Sequence, residues 1–99
     1  MNILITAANS AEAHRLKNQL KADNIILGDY QELPAFMLKN SGMIHLPNPA
    51  SLSYAHEMLT LCLDKEINSL YALREEEFAN LLKAEQLFNE YGIVLVDGR

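Results

Sequence analysis

Tryptophan is absent from this chain, and cysteine occurs once, proline three times and glycine four times. Each scarcity removes a class of protein. A single cysteine, Cys62, cannot close an internal disulfide, so this is not a disulfide-stapled secreted scaffold. Cys62 lies in the apolar stretch Met58-Leu59-Thr60-Leu61-Cys62-Leu63 and reads as a buried structural thiol rather than a nucleophile. Few prolines and glycines exclude collagen-like and low-complexity chains. No apolar run approaches the roughly 20 residues of a membrane span, and no basic stretch with a long apolar core precedes the first strand. A reduced, cytoplasmic setting without a membrane is the expectation. Positive charge is also in short supply: 8 Lys and Arg stand against 13 Asp and Glu, a formal net charge of −5. Residues 50–99 carry most of the acidic excess, which argues against nucleic-acid binding, because phosphates require Lys and Arg to neutralise them.

What is present is alternation of short apolar runs with amphipathic segments. The 99 residues suffice for one domain with one core, taken as 1–99. Ile3, Leu4 and Ile5 are consecutive and mostly β-branched, as in a parallel strand covered on both faces. Ala7-Ala8-Asn9-Ser10 follows as a tight turn, with Asn9 or Ser10 capping a helix over 11–22. Ala13, Leu16 and Leu20 form its apolar stripe. Ile25-Ile26-Leu27 is a second strand ending at Gly28-Asp29, and 30–40 reads as a loop and short helix with Pro34 in its first turn. Ser41-Gly42 breaks that helix. Met43 to Leu46 is a third strand stopped by Pro47-Asn48-Pro49.

A longer helix opens at Ser51 or Ser53 and runs to about Glu66, with Leu52, Ala55, Leu59, Cys62 and Leu63 turned inward. Ser69 to Leu73 is a fourth strand. Arg74 to Glu90 predicts one continuous helix with Phe78, Leu81, Leu82, Leu87 and Phe88 on its core face, Glu75 to Glu77 in its first turn and Gly92 closing it. Ile93 to Val96 is the fifth strand. The pattern β-α-β-α-β-α-β-α-β favours right-handed crossovers and parallel pairing. The expected fold is therefore α/β, a Rossmann-like three-layer open parallel sheet of about five strands with helices on both faces. In such sheets ligands bind beyond the strand carboxyl ends, where strand order reverses.

Asn2-Ile3-Leu4-Ile5-Thr6, Ile26-Leu27-Gly28-Asp29, Leu46-Pro47-Asn48-Pro49, Asp64-Lys65-Glu66-Ile67-Asn68 and Phe88 to Val96 match a known pattern in order and spacing. Together they resemble the N-terminal, pre-ATP-grasp domain of carbamoyl-phosphate-synthase-like ATP-grasp ligases. The resemblance implies a domain that precedes the ATP-grasp domains, which hold ATP, Mg²⁺ and the carboxylate being activated. It implies no ligase activity for these 99 residues alone. Relatives tend to carry glycine after strand one, where this chain has Ala7-Ala8-Asn9-Ser10.

Five residues at strand ends are the candidate ligand contacts: Asn9, Ser10, Asp29, His45 and Arg74. Ser10 and the turn N–H groups suit an anion, although a helix cap is the simpler role without glycine. Asp29 follows strand two at the spacing of a ribose-binding carboxylate. Arg74 suits an anionic ligand or, equally, one of the nearby carboxylates. His45 sits at the end of strand three. His14 and His56 have no second His or Cys at helical spacing, so no metal site is expected, and no catalytic set assembles. The expected activity is non-catalytic: a nucleotide or phosphorylated metabolite bound at the strand ends, without a resident cofactor. The alternative is a protein-interaction module that pairs with itself or with an ATP-grasp partner, or the first part of such a ligase.

Overall fold

The computed structural model describes residues 1–36 and 42–98 of the protein. The elements in chain order are β1 (Asn2–Ile5), α1 (Ala11–Gln19), β2 (Asn24–Asp29), β3 (Ile44–His45), α2 (Tyr54–Asp64), β4 (Ser69–Ala72), α3 (Glu75–Leu82), α4 (Glu85–Glu90) and β5 (Val94–Asp97). Every pairing is parallel, and the strand order is β3-β2-β1-β4-β5. The chain moves outward from β1 through β2 to β3, returns across the sheet, and moves outward again through β4 to β5. The switch point therefore lies between β1 and β4. This is a Rossmann-like α/β fold, as the residue pattern predicts.

Strand β1 occupies the centre because both of its faces are apolar. Ile3 and Ile5 join one core with Leu27, Leu33, Met43 and Ala13 of α1. Leu4 points the other way, into a core with Leu70 and Leu95 and with Met58, Leu59, Cys62, Leu81 and Phe88 from α2, α3 and α4. Period-two alternation thus splits one strand between two cores. Each fully buried side chain of this size contributes roughly 1.5–3 kcal/mol of transfer free energy.

The amino-terminal edge of the sheet is tied by three asparagines. Asn2 Nδ2 donates to the Glu66 carbonyl (2.9 Å), Asn68 Oδ1 accepts from the Asn2 N–H (2.8 Å), and Asn24 Nδ2 donates to Asn2 Oδ1 (3.0 Å). β1, β2 and the entry to β4 are thereby aligned at one end, which leaves the other end for the site.

Several sequence expectations need correction. The helix expected over 74–90 is two helices, α3 and α4, separated at Lys83-Ala84. The Ala84 N–H closes a turn onto the Leu81 carbonyl (2.9 Å), and a new helix begins with Ala84 as its N-cap. This re-aims the chain so that Leu81 and Phe88 are both fully buried while Leu82 and Leu87 face water. Helix α1 stops at Gln19 because Leu20 is already extended. Helix α2 starts at Tyr54, and Leu52 and Leu63 are exposed; Tyr54 takes an inward position beside Met58, Leu59 and Cys62. Glu75 to Glu77 stand in the first turn of α3 as expected, and of the three Glu77 is completely buried. Most of the short helix expected within 30–40 and the break at Ser41 lie outside the described residues.

Candidate functional site

The turn after β1 carries Ala7 in the left-handed region at φ +56°. That is the conformation a glycine would supply more cheaply. Its N–H groups are committed: Ala8 N–H to the Gly28 carbonyl (3.0 Å), Ser10 N–H to the Ala7 carbonyl (2.9 Å) and Asn9 N–H to Asp29 Oδ2 (3.2 Å). Ser10 is the N-cap of α1. Its hydroxyl donates to the Ala7 carbonyl (2.8 Å) and accepts from the Ala13 N–H (3.3 Å). His14, one turn along, donates from Nε2 to the Ala8 carbonyl at 3.0 Å, which fixes the helix against the turn.

Asp29 ends β2 and is fully buried. Arg74, the N-cap of α3, reaches across β1 to meet it with a two-pronged bridge, Nη1 to Oδ1 at 2.8 Å and Nη2 to Oδ2 at 3.2 Å. Nη2 also donates to Asn9 Oδ1 (3.1 Å), the Gln31 N–H donates to Asp29 Oδ1 (3.1 Å), and Asn9 Nδ2 donates to Gln31 Oε1 (2.7 Å). The Tyr30 ring lies under the guanidinium, 4.8 Å from centroid to Cζ, a cation–π contact that suits arginine. Three strand ends, β1, β2 and β4, are locked together by one side chain.

Burial pushes the Asp29 carboxyl upward, but the hydrogen bonds from Arg74, Gln31 and Asn9 and the Arg74 charge outweigh it and hold Asp29 below its ordinary value. Burial likewise works against the Arg74 charge, and the Asp29 partnership more than restores it. Asp29 and Arg74 are thus both ionised. Glu77 is the opposite case. It is completely buried, neither oxygen has a hydrogen-bond partner of good geometry among the described residues, and Arg74 Nη1 stands 4.0 Å away. Burial dominates and raises its pKa. The nearby Thr6 hydroxyl and Arg74 oppose that rise, and Asp29 and Glu76 add to it.

The sequence-predicted residues therefore divide. Asn9, Asp29 and Arg74 come together in one hydrogen-bonded cluster, and Ser10 sits beside it at the helix cap. His45 pairs in register with Asp29 on the outer side of β2 and is exposed. It lines neighbouring clefts, one with Tyr30, Glu32, Leu33 and Ala35, the other with Asn48, His56 and Thr60. Open space at the switch point is a crevice of about 340 Å³ lined by Ala7, Ser10, Glu12, Leu73, Arg74 and Gly98. Sequence reasoning missed Glu77, Tyr30 and Thr6, whose hydroxyl accepts from the Leu73 N–H (2.9 Å). For Glu77 a signal existed: it stands four residues before the buried Leu81, on the inward stripe. Among the described residues no three His, Cys, Asp or Glu side chains converge to hold a metal ion. No helix among the described residues is long and apolar enough to cross a membrane.

These features define a Rossmann-like domain with its crevice at the β1/β4 switch point. Among solved structures, the chain is similar to glycinamide-RNase-transformylase T from Mycobacterium tuberculosis, with a TM-score of 0.56 at 13% sequence identity. The match covers 96% of this chain and 28% of that one, and it establishes the shared fold. No family model and no curated protein matches the sequence.

Proposed function

We propose that the chain is a non-catalytic module of the pre-ATP-grasp kind that binds a small phosphorylated ligand, a nucleotide or a phosphorylated metabolite, in the crevice between β1 and β4. One observation carries this reading: Arg74 is held over the switch point by Asp29 and Asn9, beside open space lined by Ser10 and Leu73. A guanidinium carries five N–H donors. Among the described residues the Asp29 and Asn9 bonds use one hydrogen of Nη1 and both of Nη2, and with Nη1 also 4.0 Å from Glu77 the Nε hydrogen is the one left for a ligand oxygen. Asp29, fully buried, serves this arrangement by orienting Arg74 rather than by touching ribose. Glu12 lines the crevice, and Glu75 and Glu76 follow Arg74, so a monophosphate suits the local charge better than a triphosphate. Similarity of fold to part of glycinamide-RNase-transformylase T is in keeping with a module of this kind.

Calorimetric titration of the protein with a nucleoside monophosphate, a sugar phosphate, ATP and NAD tests the proposal. Saturable heat with at least one of them is expected, weakening with added salt. No heat from any of the four at millimolar concentration would remove the ligand reading.

A second reading is favoured by a separate observation. Among the described residues strand β5 has a neighbour on one side only, its Val94 is 55% exposed, and Leu87 and Tyr91 of the adjoining segment are also in water. Such an edge suits a protein partner, a second copy of this chain or an ATP-grasp subunit. Sedimentation at rising concentration distinguishes the two, since a strict monomer that co-purifies with nothing leaves only the small-ligand reading.

A further inference from the structure

Two completely buried carboxyl groups, Asp29 from β2 and Glu77 from α3, face one cation. Arg74 Nη1 bonds Asp29 Oδ1 at 2.8 Å and lies 4.0 Å from Glu77 Oε2, so both carboxyl groups stand near one nitrogen. We propose that Arg74 is shared between these two groups as a proton-controlled latch: Glu77 carries a proton while Arg74 is bound to Asp29, and loss of that proton draws the guanidinium toward Glu77 and loosens the Asn9–Asp29–Gln31 cluster.

The surroundings of Glu77 favour its protonated form. A carboxylate without hydrogen bonds in a dry site is strongly disfavoured, whereas a neutral carboxylic acid is tolerated there. From its own helix it meets Arg74 and Glu76; from β2, Asp29; from α2, the Tyr54 hydroxyl, itself buried without a partner among the described residues. From the turn after β1 it meets the neutral Thr6 hydroxyl, which opposes the rise without supplying a charge. The Arg74 charge is already balanced by the ionised Asp29, so ionising Glu77 as well would leave these three groups with a net negative charge. Asp29 has better claim to Arg74, because it also accepts from the Asn9 and Gln31 N–H groups. When Glu77 does ionise, its nearest compensation is Nη1, the atom now holding Asp29. The consequence reaches the crevice, since Asn9 and Arg74 form part of the Asp29 cluster and Arg74 lines the opening. This device is independent of whether a phosphorylated ligand binds there.

The test is an NMR titration of the whole chain from pH 4 to 9, following the side-chain carboxyl carbons of Glu77 and Asp29, the Arg74 Nε–H signal and the Asn9 amide. The expected result is a Glu77 midpoint above that of an ordinary glutamate, with Arg74 and Asn9 moving at the same midpoint. Asp29 stays ionised throughout that transition. Glu77→Gln, which imitates the protonated state in size and charge, should fold and leave Arg74 and Asn9 unchanged over the range. Asp29→Asn removes the competitor, and the Glu77 midpoint should then fall by at least one unit. Flat Arg74 and Asn9 signals across the Glu77 transition, or an ordinary Glu77 midpoint, would overturn the proposal. So would a Glu77→Gln protein that keeps the coupled titration. Ligand binding is not part of this experiment, so its outcome stands apart from the calorimetry above.

Discussion

Arg74 contributes most where its partner is most hidden. A fully buried Asp29 left without its cation keeps a charge that water cannot reach, and breaking such a pair from one side costs about 3–5 kcal/mol. Arg74→Ala is therefore expected to lower the unfolding free energy by that order in urea melts; a loss below about 1 kcal/mol would mean that water already screens the pair. Glu77 gives a pH dependence of known sign. Its native pKa is raised above the ordinary 4.5, so the native state binds the proton more tightly than the unfolded state, and stability falls as pH rises above that value. Asp29 acts oppositely, because its pKa is depressed below 3.8 and its contribution is lost as pH falls through the native value. Urea melts of Glu77→Gln should lack the decline above pH 4.5 and retain the acid limb. Cys62, with burial pushing its thiol up to about 12, should resist alkylation at pH 8 until the protein is unfolded.

At the scale of elements, small features position the site. Ser10 caps α1 through the Ala13 N–H, and Ser10→Ala should cost about 1 kcal/mol in the same melts. Gly28 allows β2 to pass close to the strand that follows it: a Cβ there would stand 2.8 Å from the Leu46 side chain. Gly28→Ala is thus expected to destabilise by about 1–3 kcal/mol, since Leu46 is fully buried and has little room to give. Much of this level was legible in the residues. The β-branched run at Ile3 to Ile5, the Ser10 cap and Gly92 at φ +76° follow from local chemistry alone. The break at Lys83-Ala84 was not legible, because neither glycine nor proline marks it and packing of Leu81 and Phe88 decides it. Leu52 and Leu63 misled for the same reason: helical periodicity accepts several stripes, and only the sheet selects one.

At the scale of the molecule, strand order decides what the site can be. Asn9, Asp29 and Arg74 each stand out locally as turn, strand-end and helix-start residues, yet nothing local says that Arg74 crosses β1 to reach Asp29. That contact exists because β1 lies between β2 and β4. His45 is carried to the far side by the same order, one strand beyond Asp29. Charge adds a second condition on the whole crevice. Glu12 favours the positive end of α1 but faces the opening, so Glu12→Gln should weaken the helix by about 0.3–1 kcal/mol while tightening a phosphorylated ligand by about two- to fivefold, the range of a surface charge interaction. Calorimetry on the two proteins at the same ionic strength reads that trade directly.

The measurement that addresses the central claim most directly is an amide chemical-shift map of the protein titrated with a nucleoside monophosphate. Saturable shifts are expected to be confined to the β1/β4 crevice, at Ser10, Glu12, Leu73, Arg74 and Gly98, with Asn9 following through Arg74. Shifts centred instead on the β5 edge around Val94, or no shifts near the crevice at saturating ligand, would contradict it.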